Sequence, residues 1–189
     1  KEVLVGRKGG MPALNFLNAL KKMNVDSSKI NLNYSVEFAA LSGSFIGGMG
    51  DYVNLFEPTA TKLEKENFGY VVASIGEYSG EMPYTTYYAR KSYIENNKDI
   101  IDKFRKALNK GLEFVQNNEP EVVAEAIHNQ FKDESINNLT TMIKRYKDYD
   151  CWYDDTHIKE IAYQNLEQVM LDNNLIEKKV DFNTLVNND

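Results

Sequence analysis

The chain has 189 residues, 42% of them hydrophobic and 26% charged, which suits one large globular domain or two small ones. Its net charge of −6 argues against a nucleic-acid binder, which needs a basic surface. No apolar run reaches the length of a membrane span, and a single cysteine, Cys151, excludes a disulfide within the chain. Cys151, His128 and His157 are too sparse and scattered for a zinc site, so neither a metal nor a cofactor is expected. No histidine signature accompanies Cys151, which is expected to pack beside Trp152. The many Lys, Asn, Tyr and Ile residues read as compositional bias.

The chain opens directly in a strand. Val3, Leu4 and Val5 are a buried apolar run, and no initiator methionine or lead-in loop precedes them, so a fragment of a longer protein is expected. Next comes the turn Gly6-Arg7-Lys8-Gly9-Gly10-Met11-Pro12, with Pro12 suited to a first helical position. A helix N-terminus offers unpaired N–H groups and positive partial charge, so this turn suits an anionic or strongly polar ligand group. The plainer reading is a strand-to-helix loop with solvated Arg7 and Lys8.

Residues 12–23 then read as a helix with Leu14, Leu17, Leu20 and Phe16 facing inward. Residues 30–34 read as a second strand, 36–45 as a helix, and 51–56 as a third strand. Gly43, Gly47, Gly48 and Gly50 break the chain between the last two. Pro58 starts a helix running to about residue 66, whose Lys/Glu-rich end is a solvated face, and residues 70–74 read as a fourth strand. The pattern is βαβαβαβ, that of an α/β fold with a parallel sheet.

After a polar connector at 76–83, residues 84–89 read as one more strand, and the remainder is helical. Residues 98–117 carry Ile100, Ile101, Phe104, Leu108, Leu112 and Val115 on one face. Helices over 119–131, 135–148 and 156–172 follow, the last presenting Ile158, Ile161, Leu166, Val169 and Met170; the tail is polar with an apolar piece at Phe182, Leu185 and Val186. These helices have apolar faces and no sheet of their own to cover.

In open α/β sheets ligands lie outside the carboxyl ends of the strands. That rule selects Gly9, Gly10 and Met11 after the first strand, Ser35, Glu37 and Phe38 after the second, Glu57 after the third, and Pro83, Tyr84 and Thr85 beyond the fourth. Glu57 reads equally as an acceptor for an amino or amidine group and as an acid favoured by the following helix start. Asp51 reads as a strand-start residue. Tyr84, Tyr87 and Tyr88 suit stacking on a flat ligand, although strand aromatics more often belong to a core. No nucleophile–base pair, P-loop or metal-ligand spacing is present, so binding without chemistry is the leading class.

The runs Val5 to Pro12, Phe38-Ala39-Ala40-Leu41, Gly50 to Pro58, Gly69 to Ser74, and then 84–90 with Tyr93-Ile94 and the helix from about Lys98, resemble the substrate-binding proteins of ABC importers, of the nitrate/sulfonate/taurine and thiamine-pyrimidine-precursor type. The resemblance implies a two-lobed periplasmic-binding-protein-like α/β fold that closes on its ligand by a hinge. It implies that residues 1–82 form lobe 2, and that 83–189 supply a return strand and helices to lobe 1, whose remainder is missing. It further implies a small-molecule solute in an interlobe cleft, ABC permease transmembrane subunits as partners, no nucleic acid, and an extracytoplasmic location in the periplasm or as a Gram-positive lipoprotein. Membrane contact would come only through a lipid anchor on the missing N-terminus. Residue by residue, the resemblance carries over Gly9, Gly10, Met11, Glu57 and the segment 83–85. Two other readings share the fold: an enzyme of thiamine-pyrimidine synthesis, which needs active-site His and Lys, and the effector-binding domain of a transcription regulator.

Overall fold

In the computed structural model, which describes residues 1–188, β1 (Glu2–Leu4) is the middle strand of a three-stranded sheet. Its neighbours are β2 (Asn31–Asn33) and β3 (Tyr52–Val53), and both pair with it in parallel, Val3 opposite Leu32 on one side and Tyr52 on the other. Val3, Leu4 and Val5 are buried, as befits a strand flanked on both edges. Asn54 N–H donates to the Leu4 carbonyl at 2.9 Å, and Val5 N–H to the Asn33 carbonyl at 3.2 Å, so pairing continues past the regular strands. Gly50 holds φ +74°, and a Cβ there would lie 2.8 Å from Leu4 Cγ; only glycine admits this close approach before β3.

The chain groups into two compact units. The first contains Lys1–Met82 and Gln164–Val180, the second Pro83–Tyr163 and the residues from Asp181 on. In the first unit α1 (Met11–Lys22) packs against α4 (Ile75–Ser79), and Asn18 Nδ2 donates to the Ser79 carbonyl at 2.8 Å. Ala13 and Phe16 close one side of the sheet core, while Leu14, Met82 and Val169 form a second cluster. A 3₁₀ turn over Phe38–Ala40 leads into α2 (Leu41–Ile46), and α3 (Thr59–Lys65) follows β3. The second unit holds α5 (Lys91–Asn96), α6 (Lys98–Asn117), α7 (Pro120–Ile127), α8 (Ile136–Asp148) and α10 (Phe182–Leu185). Its core is Val123, Ala124, Leu139, Met142 and Ile143, between α7 and α8. Helix α9 (Glu160–Asp172) begins in the second unit and continues in the first.

Several sequence expectations differ from the structure, and the missing strands share one reason. Residues 70–74 and 84–89 form no strand: Tyr70 is 84% and Tyr88 96% exposed. Apolar, β-branched composition supplies a face, but a strand also needs a neighbour for its N–H and C=O groups. The α6 face behaves similarly: none of its residues is buried, and Ile100 and Phe104 stay exposed. Ile161 and Leu185 are also exposed, Gly43 lies inside α2, and the connector 76–83 contains most of α4. The first unit's opening segment ends at Met82, and Gln164–Val180 groups with it.

Five helix ends share one device. After α1, α3, α8 and α9 a non-glycine residue takes positive φ: Asn24 (57°), Asn67 (61°), Asp150 (50°) and Asn174 (56°); after α2 it is Gly48. In each the next N–H reaches back five residues, as Val25 N–H does to the Leu20 carbonyl (2.8 Å) and Phe68 N–H to the Leu63 carbonyl (3.0 Å). This is the Schellman closure, with asparagine in the usual glycine place. Part of the asparagine abundance is therefore structural. Asn24→Val is expected to cost about 1–2 kcal/mol, the penalty for a side chain that resists the left-handed region, while Asn24→Gly stays within about 1 kcal/mol of the parent; urea unfolding of both variants checks this.

Candidate functional site

The three strands run parallel, so their carboxyl ends lie along one edge of the sheet. From β1 the chain turns through Gly6 (φ +79°) and Gly9 (φ +77°) into α1, with Gly10 as N-cap and Pro12 in the first helical turn. The Gly10 N–H donates to the Arg7 carbonyl at 3.1 Å and is consumed inside the turn. Pro12 has no N–H, so Met11 and Ala13 supply the unpaired donors of the helix start. A Cβ on Gly10 would sit 3.2 Å from the Arg7 carbonyl oxygen, and one on Gly9 would sit 3.3 Å from Leu175 Cδ2. Gly9, at positive φ, is therefore needed by the turn itself, and a side chain at position 10 would press on Arg7, whatever the turn binds. Arg7 and Lys8 are exposed beside it.

The other strand ends converge here. A Cβ on Gly6 would lie 3.4 Å from Phe38, and the Phe38 ring stands 4.8 Å from that of Phe56, tilted by 42°. Asn54 Nδ2 donates to the Pro12 carbonyl at 3.0 Å, which ties the exit of β3 to the first turn of α1. Residues after β1, β2 and β3 thus form one rim of α1 start and paired aromatic rings. Ser35 lies exposed, its N–H and Oγ both donating to Asn33 Oδ1, and Glu37 is exposed at the N-cap of the 3₁₀ turn. The fourth end differs from expectation: Ser74 follows no strand and is instead the N-cap of α4.

The two carboxylates of interest have structural duties. Glu57 Oε2 accepts the Thr61 N–H at 2.9 Å and so serves the start of α3, after a cis Glu57–Pro58 peptide bond. Asp51 Oδ2 accepts the Glu2 N–H at 2.7 Å, with Lys1 Nζ at 3.4 Å from its other oxygen. That backbone hydrogen bond, more than the Lys1 charge, holds the Asp51 carboxyl below its ordinary range. Asp51 is thus the strand-start residue that its sequence position suggests.

Pro83, Tyr84 and Thr85 belong to the second unit, where Pro83 is buried and Tyr84 and Thr85 are exposed. Partial burial, and secondarily Tyr146, push the Tyr84 phenol up to about 12. Tyr87 sets its ring edge-on to Phe104 at 4.9 Å while remaining largely exposed, so the core reading of these tyrosines fails. Cys151 borders a shallow cleft beside Trp152. Burial and the Asp150 charge push its thiol up, away from nucleophile character. Lys147 in the same cleft donates to the Gln116 and Asn118 carbonyls at the end of α6. His128 Nε2 meets the Glu134 carbonyl oxygen at 3.1 Å, and His157 Nδ1 meets Asp155 at 3.0 Å. Among the described residues no cluster of His, Cys, Asp and Glu suits a metal ion, and no helix is long and apolar enough to cross a membrane.

The turn, the rim and most of the parallel sheet fall within residues 4–122, which match the family model described as NMT1/THI5 like. The chain belongs to the NMT1/THI5-like family. Its small parallel sheet among helices fits the periplasmic-binding-protein-like α/β fold. Over 188 residues, 99% of the chain, it is 38% identical to the protein named "Putative binding protein YtlA" of Bacillus subtilis (strain 168). The chain spans 56% of that relative's length.

Residue-type rules missed Phe56 and Asn54. A signal was present: Asn54 is a lone amide inside an otherwise apolar strand run, and it is 9% exposed. Two measurements check this description. Glu57→Ala should cost about 0.5–2 kcal/mol through loss of the acceptor at the α3 start, read by urea unfolding. Tyr84 should ionise last among the tyrosines in a near-ultraviolet titration, and Tyr84→Phe should remove that late component. Because the folded state raises this pKa above 10.0, its contribution to stability is present below pH 10 and falls as the pH climbs toward about 12.

Proposed function

We propose that the chain is part of an extracytoplasmic solute-binding protein that delivers a small polar or anionic solute to the transmembrane subunits of an ABC permease. One observation carries this reading: the start of α1, with the free N–H groups of Met11 and Ala13, shares a rim with the Phe38–Phe56 ring pair at the carboxyl ends of three parallel strands. Backbone donors hold an oxyanion or another acceptor, and the rings offer an apolar wall to the rest of the solute. Membership of the NMT1/THI5-like family and the binding-protein name of the Bacillus relative support it.

The solute class in this reading is sulfonate-, taurine- or nitrate-like, or an aminopyrimidine. Gly9 and Gly10 shape the turn, Met11 and Ala13 donate, and Phe38 lines the site. Ser35, Glu37, Glu57, Pro83, Tyr84 and Thr85 remain candidate contacts. Residues 1–82, joined by Gln164–Val180, form one lobe, and the other residues from 83 on contribute to the second. The exposed apolar face of α6 then belongs against further chain of the complete protein, and a lipid anchor would hold the protein at the cell surface.

The test is a thermal-shift panel on the complete protein with sulfonates, nitrate, taurine and aminopyrimidines. At least one compound should raise the melting temperature, and Phe56→Ala should weaken its binding about tenfold or more. Chemical turnover of a panel compound would overturn the binding-only reading.

A further inference from the structure

One buried atom of the first unit has no partner. Asn15 is 7% exposed, and its Oδ1 is sealed from solvent without accepting any hydrogen bond. A buried acceptor left without a donor is unfavourable, so folding gives no reason for an amide at this position. Asn18, one turn on, shows the ordinary arrangement, its amide bonded to the Ser79 carbonyl.

Position 15 lies three residues after Pro12 and four after Met11, on the same stripe of α1 as its first turn. Helical side chains lean toward the N-terminus, so the amide reaches back over the turn that carries the free donors. The first turn of α1 is tied to the exit of β3, where Asn54 Nδ2 donates to the Pro12 carbonyl. Met11, the neighbour one turn earlier, is half-buried and packs against the Leu14, Met82 and Val169 cluster through an unbranched, adaptable side chain.

We propose that Asn15 contacts the solute and determines its class: Oδ1 accepts a hydrogen bond from an N–H or O–H of a solute whose other end is held by the α1 donors. This rests on the α1 start being the solute site, and it narrows that reading. The solute carries both an acceptor-rich end and a donor. A bare oxyanion such as nitrate leaves Oδ1 unpaired and is discriminated against, because a site built to bond a donor rejects the analogue lacking it.

The experiment is titration calorimetry on the complete protein with matched probes: taurine against ethanesulfonate, and aminopyrimidine against methylpyrimidine. In the pair that binds, the donor-bearing member should bind at least tenfold tighter. Asn15→Leu, of similar volume, should erase that preference and raise the melting temperature of the ligand-free protein, since it removes an unpaired buried acceptor. Equal binding within the pair, or a preference that survives Asn15→Leu, overturns the assignment while leaving the α1 site standing. A lower melting temperature with unchanged affinity assigns Asn15 to structure and also overturns it. If none of the four probes binds, this inference falls, and the α1 site reading falls with it when nitrate also fails to bind.

Discussion

Everything in the first unit depends on β1 being paired in parallel on both sides. A strand with two parallel neighbours is buried on both faces, which is why residues 3–5 are apolar without alternation. Parallel pairing also sends all three strands out along the same edge. The connections that follow them, at Gly6, at Asn33 to Phe38 and at Asn54 to Pro58, have no choice but to gather there. The rim is a consequence of sheet direction before it is a consequence of any particular side chain.

Within that rim, the glycines and the acids act mainly on the backbone. Gly6 and Gly9 adopt left-handed conformations, and Gly10 spends its N–H on Arg7. Glu57 and Asp51 each accept a main-chain N–H. Groups that look chemically prominent in the sequence thus hold the frame, and quieter ones remain to meet a solute: two N–H groups at a helix start and a pair of phenylalanine rings. Such a division suits a binding protein, in which a rigid frame presents a few unspent polar groups.

The second unit draws its stability from a different source. Its core is a helix pair, α7 and α8, tied to the end of α6 by the Lys147 ammonium on two of that helix's last carbonyls. Helix α6 itself is strongly amphipathic and yet has no buried residue. Periodicity reports that a face exists, and burial reports whether something lies on it; α6 separates the two.

The α/β class, the helix over 98–117 and the turn into α1 were legible in the amino-acid order. They rest on local rules: a 3.6-residue period, proline at a helix start, glycine at positive φ. The family resemblance was legible from the same runs. Which apolar segments became strands was decided by the tertiary structure alone, because a strand requires backbone partners that its own sequence does not contain: residues 2–4 have them, and residues 70–74 and 84–89 do not. The same holds for the site. Sequence placed residues at strand ends, but only packing decided that Gly10's N–H is spent, that Glu57 faces a helix start, that Phe38 meets Phe56, and that the amide oxygen of Asn15 is left without a donor. Hydrogen-bond satisfaction is a property of neighbours in space, and neighbours in space are what the fold supplies.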